Sequence, residues 1–231
     1  MIDFHSHVLP AMDDGAKNTA LSLDMLRLAA RQGARAVVAT PHFYGGQDTV
    51  ESFLTRRQQC YEALLPLLSE GLPRVYLGAE VLLREGLSQT DLRPLCLQGT
   101  DVLLVELPFV RMPHWVLEEL ENIVLGQRLT VMLAHLDRYT SWYSSADAAS
   151  LVELPDVIVQ LNAESLTGRR ELKALVKWLP ETSRLVLGSD MHNMTDRKPQ
   201  LDQAQTMLSR HRVGRFWLAQ MEYTGEGILA I

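Results

Sequence analysis

The histidines of this chain sit where metal chemistry could use them. His5 and His7 close the opening apolar run in "MIDFHSH", and in an extended segment side chains two apart share a face, so both imidazoles can reach one cation. His42, His135 and His192 each follow another short apolar run, as does Asp190. Glu80 comes directly after "VYLGA", and Glu106 lies inside "VLLVELPF". An unpaired charge among such neighbours costs several kcal/mol, a cost that a bound cation would remove. Mixed imidazole and carboxylate ligation suits manganese, iron or zinc better than calcium or magnesium, and one carboxylate such as Glu80 could bridge two ions. Asp13 and Asp14 precede Gly15 in a turn-forming context, and on pattern alone either carboxylate could be a ligand. His114 and His211 fall in helix-associated positions, where a solvated role suffices.

Residues so far apart can meet only if the elements before them end in one place. Strand-like runs recur at 1–4, 36–40, 75–79, 102–107, 130–134, 157–161 and 185–188, and six of these seven end in a ligand-type residue. Helical spacing separates most of them. Asn18 or Thr19 caps a helix that closes at Gly33, 50–68 carries a second, and 115–125 a third ahead of Gly126. Strands alternating with helices predict parallel pairing through right-handed crossovers, and the lack of a Gly-x-Gly-x-x-Gly turn favours a barrel over an open nucleotide-binding sheet. In parallel α/β barrels the C-terminal strand ends share one face, which would collect these side chains. The final stretch, "FWLAQMEYTGEGILAI", reads as a helix, a glycine-containing turn and an apolar tail packing back on the barrel.

A length of 231 residues fits one domain over 1–231. The net charge of −6 offers no excess of cations for a nucleic-acid backbone, so no nucleic-acid partner is expected. Cys60 and Cys96 read as free thiols. With neither a leader-like start nor a run of about 18 uncharged apolar residues, the expected location is cytoplasmic, without membrane insertion.

Taken in order, "DFHSH", "DDG", "TPH", "GAE", "VELP", "AHLDRY" and "GSDMHN" resemble the polymerase and histidinol phosphatase (PHP) family of metallophosphoesterases over essentially the whole chain. "MIDFHSH", "DDGAKN", "AHLDRY" and "SDMHN" with its following arginine most resemble the metal-dependent protein-tyrosine phosphatases found beside capsule or exopolysaccharide genes in Gram-positive bacteria. The resemblance implies a distorted seven-stranded (β/α) barrel of TIM-like type. It also implies three divalent transition-metal ions, manganese first, with iron or zinc as alternatives. The first would be held by His5, His7, Glu80 and Asp190, the second by Glu80, Glu106 and His135, and the third by Asp14, His42 and His192. It singles out Asp14 and leaves Asp13 to the turn. Arg138 and Arg197 stand where tyrosine-phosphatase members carry phosphate-contacting arginines, and a guanidinium can grip two phosphate oxygens at once.

The implied reaction is hydrolysis of a phosphomonoester by a metal-activated water, with no phosphoenzyme. The implied partner is a phosphotyrosine protein, the tyrosine-rich tail of an autophosphorylated bacterial kinase. A cysteine-dependent phosphatase is excluded, because the position six after Cys60 is Pro66 and six after Cys96 is Val102, not the arginine of Cys-x5-Arg. Two other readings stand beside the main one: a histidinol-phosphate phosphatase, and a binding module without catalysis. Substrate choice would rest on loops 43–50 and 139–145. In the second of these, Tyr139, Trp142 and Tyr143 could line an entrance for a phenyl phosphate. The loop after His42, "FYGGQDT", brings no cation toward an acidic phosphopeptide.

Overall fold

The architecture is that of a computed structural model, which describes residues 1–230. All seven apolar runs form strands: β1 (Ile2–Ser6), β2 and β3 (Ala36–Ala39, His42–Phe43), β4 and β5 (Arg74–Leu77, Glu80–Leu82), β6 (Val102–Glu106), β7 (Thr130–Leu133), β8 (Val157–Asn162) and β9 (Leu185–Gly188). After two of the runs, 36–40 and 75–79, the chain breaks and resumes as a second short strand. Pro41 brings no N–H to the ladder between β2 and β3. Between β4 and β5, Gly78 packs so closely that a Cβ there would stand 2.7 Å from Leu97.

The expected closed seven-stranded ladder therefore resolves into two parallel sheets, ordered β1-β2-β4 and β3-β5-β6-β7-β8-β9. Hydrogen bonds carry the alignment across the breaks, with Gly78 N–H donating to Ala39 O (2.8 Å) and Glu80 N–H to Pro41 O (3.0 Å). At the outer edges, Asp190 N–H donates to His5 O (2.8 Å) and His7 N–H to Met191 O (3.0 Å). The sheets are joined by such contacts and not by one continuous ladder.

Helices α1 (Thr19–Arg31), α2 (Val50–Leu64), α3 (Trp115–Glu121), α4 (Ser145–Glu153), α5 (Arg169–Trp178), α6 (Leu201–Ser209) and α7 (Arg212–Leu229) accompany the strands. Asn18 caps α1 by accepting from Leu21 N–H, as its sequence context predicts. The second predicted helix leaves α geometry at Leu64, just before Pro66, and the third ends in a π-turn over Asn122–Gly126. The C-terminal expectation is corrected: α7 runs unbroken through Gly225 and Gly227 to Leu229. Gly225 is a packing residue and not a turn, since a Cβ there would lie 2.8 Å from Phe4. Ile231, the end of the predicted tail, lies outside the described residues.

Strand parity arranges the core. Ile2, Phe4, Ala36, Val38, Val102, Leu104, Met132, Ala134, Ile158 and Val186 form an inner apolar cluster that Leu229 of α7 joins. Steps of two along the strands lead from this cluster to chemistry: Val38 to Thr40 and His42, Tyr76 to Gly78 and Glu80, Leu104 to Glu106, Ile158 to Gln160 and Asn162, and Val186 to Gly188 and Asp190. In β1 the register shifts between Asp3 and Ser6; His5 lies within the shift and His7 just beyond it. No helix among the described residues is long and apolar enough to cross a membrane.

Candidate metal centre

The strand ends, with Asp14 from the loop between β1 and α1, bring the nine candidate ligands into one cluster. Glu80, 1% exposed, sits at its centre. Its Oε2 lies 2.8 Å from His42 Nδ1, 3.3 Å from His5 Nε2 and 3.4 Å from His7 Nε2, while Oε1 lies 2.8 Å from His135 Nε2. Asp190 Oδ1 is 3.5 Å from His7 Nε2 and 3.6 Å from His5 Nε2. Asp14 Oδ1 lies 3.3 Å from His192 Nε2 and 3.4 Å from His42 Nε2. Glu106 Oε1 is 3.6 Å from His135 Nε2. Four overlapping groups have ligand atoms within 4.8 Å of one another: His7, Asp14, His42 and His192; His5, His7 and Asp190; His5, Glu80 and His135; His42, Glu80 and Glu106.

These groups fit cations better than they fit one another. Glu80 Oε2, His42 Nδ1 and His192 Nε2 are buried without a hydrogen-bond partner, although each faces a polar atom of the cluster. The Nε2 atoms of His5 and His7 are 3.2 Å apart, and the rings of His7 and His192 have centroids 3.8 Å apart. Buried polar atoms left unpaired are costly, and shared cations would satisfy them together. The groups do not reproduce the implied partition in full, since His7 also joins Asp14, His42 and His192, and His42 joins Glu80 and Glu106.

Charge shapes the site. Burial would raise the Glu80 carboxyl, but His5, His135 and His42 outweigh it and hold it well below the ordinary carboxylate range. Asp190 is likewise lowered, because His5 and His7 overcome its burial. Glu106 goes the other way, raised by burial and by the neighbouring Glu80. His192 falls to about 4, through burial and the nearby His7.

A second layer, not foreseen from the sequence, aims these groups. The resemblance leaves Asp13 to the turn, yet its Oδ2 accepts from His7 Nδ1 (2.7 Å) and from His42 N–H (3.1 Å), and its Oδ1 from Gly15 N–H (3.0 Å). Gly15 is required here: a Cβ would lie 2.4 Å from that of His7. Strand β8, the one run without a terminal ligand type, supplies Gln160 and Asn162. Gln160 Oε1 accepts from His135 N–H (2.7 Å) and lies 2.9 Å from His5 Nδ1. Gln160 Nε2 donates to Asn162 Oδ1 (3.0 Å), and Asn162 Nδ2 to Asp190 Oδ2 (3.2 Å). The available signal was two amides at i and i+2 in the otherwise apolar "VIVQLN". His135 and Asp190 have left-handed backbones, with φ of 31° and 52°.

The two predicted arginines reach the same edge. Arg197 Nη2 lies 3.0 Å from both carboxylate oxygens of Asp190, and Arg138 Nη1 3.4 Å from Asp190 Oδ2. Arg138 also places its guanidinium 5.0 Å from the centroid of Phe109, a half-buried ring stacked on Tyr139 at 4.6 Å. The proposed aromatic entrance is corrected. Tyr139 and Tyr143 are buried and donate to the carbonyls of Leu107 (2.7 Å) and Pro108 (3.2 Å), so they anchor the loop, and only Trp142 is exposed. His114 is exposed, and His211 half-buried at the start of α7; neither belongs to the four groups.

Comparison with known proteins agrees over nearly the whole chain. A family model described as capsular polysaccharide synthesis, CpsB/CapC, matches residues 1–223. Tyrosine-protein phosphatase YwqE of Bacillus subtilis is 30% identical over 216 residues, covering 91% of this chain and 84% of its own. Tyrosine-protein phosphatase CpsB of Streptococcus agalactiae is 26% identical, covering 91% and 90%. A solved structure from a study of YwqE of B. subtilis and CpsB of Streptococcus pneumoniae, described as unique metal-dependent tyrosine phosphatases, superposes with a TM-score of 0.78 at 26% identity, covering 96% of this chain and 93% of that one.

Proposed function

This chain belongs to the CpsB/CapC family of capsular polysaccharide synthesis, and we propose that it is a metal-dependent protein-tyrosine phosphatase acting through the cluster around Glu80. Its substrate is a phosphotyrosine protein, in capsule synthesis the tyrosine-rich tail of an autophosphorylated kinase, met in the cytoplasm by a single domain. The observation that carries the reading is Glu80 Oε2, a buried carboxylate oxygen without a hydrogen-bond donor and with three imidazole nitrogens within 3.4 Å.

His5, His7, Glu80, Asp190, Glu106, His135, Asp14, His42 and His192 would hold three divalent ions, manganese first. When bound, such ions lower the pKa of water toward neutrality and offset charge on phosphoryl oxygens. The chain's own residues do the rest. Asp13 fixes the His7 ring, and Gln160 fixes the His5 ring and the His135 backbone. Arg138 and Arg197, side by side at Asp190, grip the phosphoryl oxygens and orient phosphorus toward the cluster. Phenolate, with a pKa near 10, leaves with less protonic help than an alkoxide. That suits a site whose imidazoles are committed to carboxylates.

The test compares kcat/KM for a phosphotyrosine peptide and for histidinol phosphate, using protein reconstituted with manganese. A clear preference for the peptide is expected. A preference of about tenfold or more for histidinol phosphate, corresponding to about 1.4 kcal/mol in the transition state, would replace this reading with the small-molecule one.

A further inference from the structure

Helix α5 carries Arg169, Arg170, Lys173 and Lys177, all exposed, on a face opposite the buried Leu172 and Leu175. Four of the chain's 22 lysines and arginines thus stand on ten residues of a protein with a net charge of −6. None of the four makes an ion pair among the described residues, and with Ala174 they line a shallow concavity of about 560 Å³. The acids near it in sequence are Glu164, ahead of the helix, Glu171, whose carboxylate turns back over Gly168, and the exposed Glu181, just beyond its C-terminus.

The position of this face is informative. Helix α5 starts from the loop that follows β8 at the metal-cluster end of the strands. That loop is tied to the segment bearing Arg138: Ser165 Oγ donates to Asp137 Oδ2 (2.5 Å), and Asn162 N–H to Asp137 Oδ1 (2.8 Å). The helix then leads away from the site for about 15 Å, the span of four or five residues of extended peptide. No large apolar side chain is exposed on it to enter a bilayer, so the chemistry favours a protein partner.

We propose that this face of α5 is a docking track for the acidic residues flanking a phosphotyrosine in the protein substrate. The inference rests on the phosphatase reading above and adds to it a charge-reading exosite outside the metal cluster. It also answers the absence of cations in the loop after His42, by placing them on another rim of the site.

The experiment uses the manganese-reconstituted protein and two phosphotyrosine peptides, one flanked by Glu and Asp and one by Gln and Asn. The wild type is expected to favour the acidic peptide about tenfold at roughly 50 mM salt, through KM, and to lose the preference near 0.5 M salt. The variant R169Q/R170Q/K173Q/K177Q should show no preference, and K173Q/K177Q, which leaves the first helical turn intact, an intermediate one. Turnover of p-nitrophenyl phosphate should be unchanged in both variants, which certifies the fold and the metal cluster. A preference retained in the fourfold variant, or absent from a wild type active on both peptides, overturns the docking track alone. Charge-dependent sedimentation with phosphatidylserine vesicles, with peptide kinetics unaffected, also overturns it and makes the face a lipid surface. A wild type inactive on every phosphotyrosine peptide overturns the phosphatase reading itself.

Discussion

The two ends of the strand array are built from the same strands and the same inward parity, yet they share almost no chemistry. At one end Ile2, Phe4, Val38, Leu104 and Val186 pack with Leu229 into a dry cluster. Two to four residues further along, the same face carries His42, Glu106 and Asp190, joined by His5 across the register shift of β1, and the cluster they form leaves Glu80 Oε2, His42 Nδ1 and His192 Nε2 without hydrogen-bond partners. The first end gains stability from burial of apolar area. The second gathers charges that oppose folding unless a cation or a partner satisfies them. Stability and reactivity are thus separated along the strands and not between domains.

The most severe way to break this contrast is Glu80→Gln, which leaves the apolar end untouched. Phosphatase activity should fall by roughly 10³-fold, equivalent to about 4 kcal/mol, together with bound metal. Activity and metal content at wild-type levels would remove Glu80 from the centre. The reciprocal change, Phe4→Ala, should cost about 3 kcal/mol of stability in a urea titration, with kcat per folded molecule retained. A parallel loss of kcat would mean that the two ends are coupled.

Between them, Gln160→Leu sharpens the boundary. It removes the acceptor shared by His135 N–H and the His5 ring, and should weaken metal affinity about 10- to 100-fold in a competition with a chelator. An unchanged affinity would reduce the amide to a packing role. The smallest effect is expected away from both ends, at Glu119, whose carboxylate accepts from Gly86 N–H (2.7 Å) and Ser88 N–H (3.0 Å). Burial would raise its pKa, but these amides outweigh it and lower it. The stabilisation is therefore present above the unfolded carboxyl's pKa, near 4.3, and is lost as pH falls through the lower folded value. Glu119→Gln should cost about 1 kcal/mol or less at pH 7 and nothing at pH 2. Equal differences at both pH values would contradict that origin.

Much of the fold was legible because the apolar runs are short and β-branched or aliphatic, and six of the seven carry a ligand-type residue at or just beyond their end. The positions of His42, Glu80 and Glu106 needed only that pattern. What the pattern hid depends on contacts made at a distance. The short strands β3 and β5, beyond Pro41 and Gly78, do not show in the pattern as strands of their own. Gly225 looks like a turn until Phe4 is seen beside it, and Tyr139 looks like an open rim until its hydroxyl is found on Leu107. Asp13 and Gln160 carry no local sign of their partners, because His7 and His5 meet them only after the chain has folded.

The left-handed backbones at His135 and Asp190 restrict what evolution or design can write there. A ligand to a transition metal can be His, Asp, Glu or Cys, but away from glycine the left-handed region is populated chiefly by Asn, Asp and His. Only His and Asp belong to both sets. For the metal-holding role proposed for these two positions the permitted alphabet has shrunk to the letters found, so a redesign that swaps ligand type would do better at Glu80 or His42, where the backbone is extended strand and imposes no second vote.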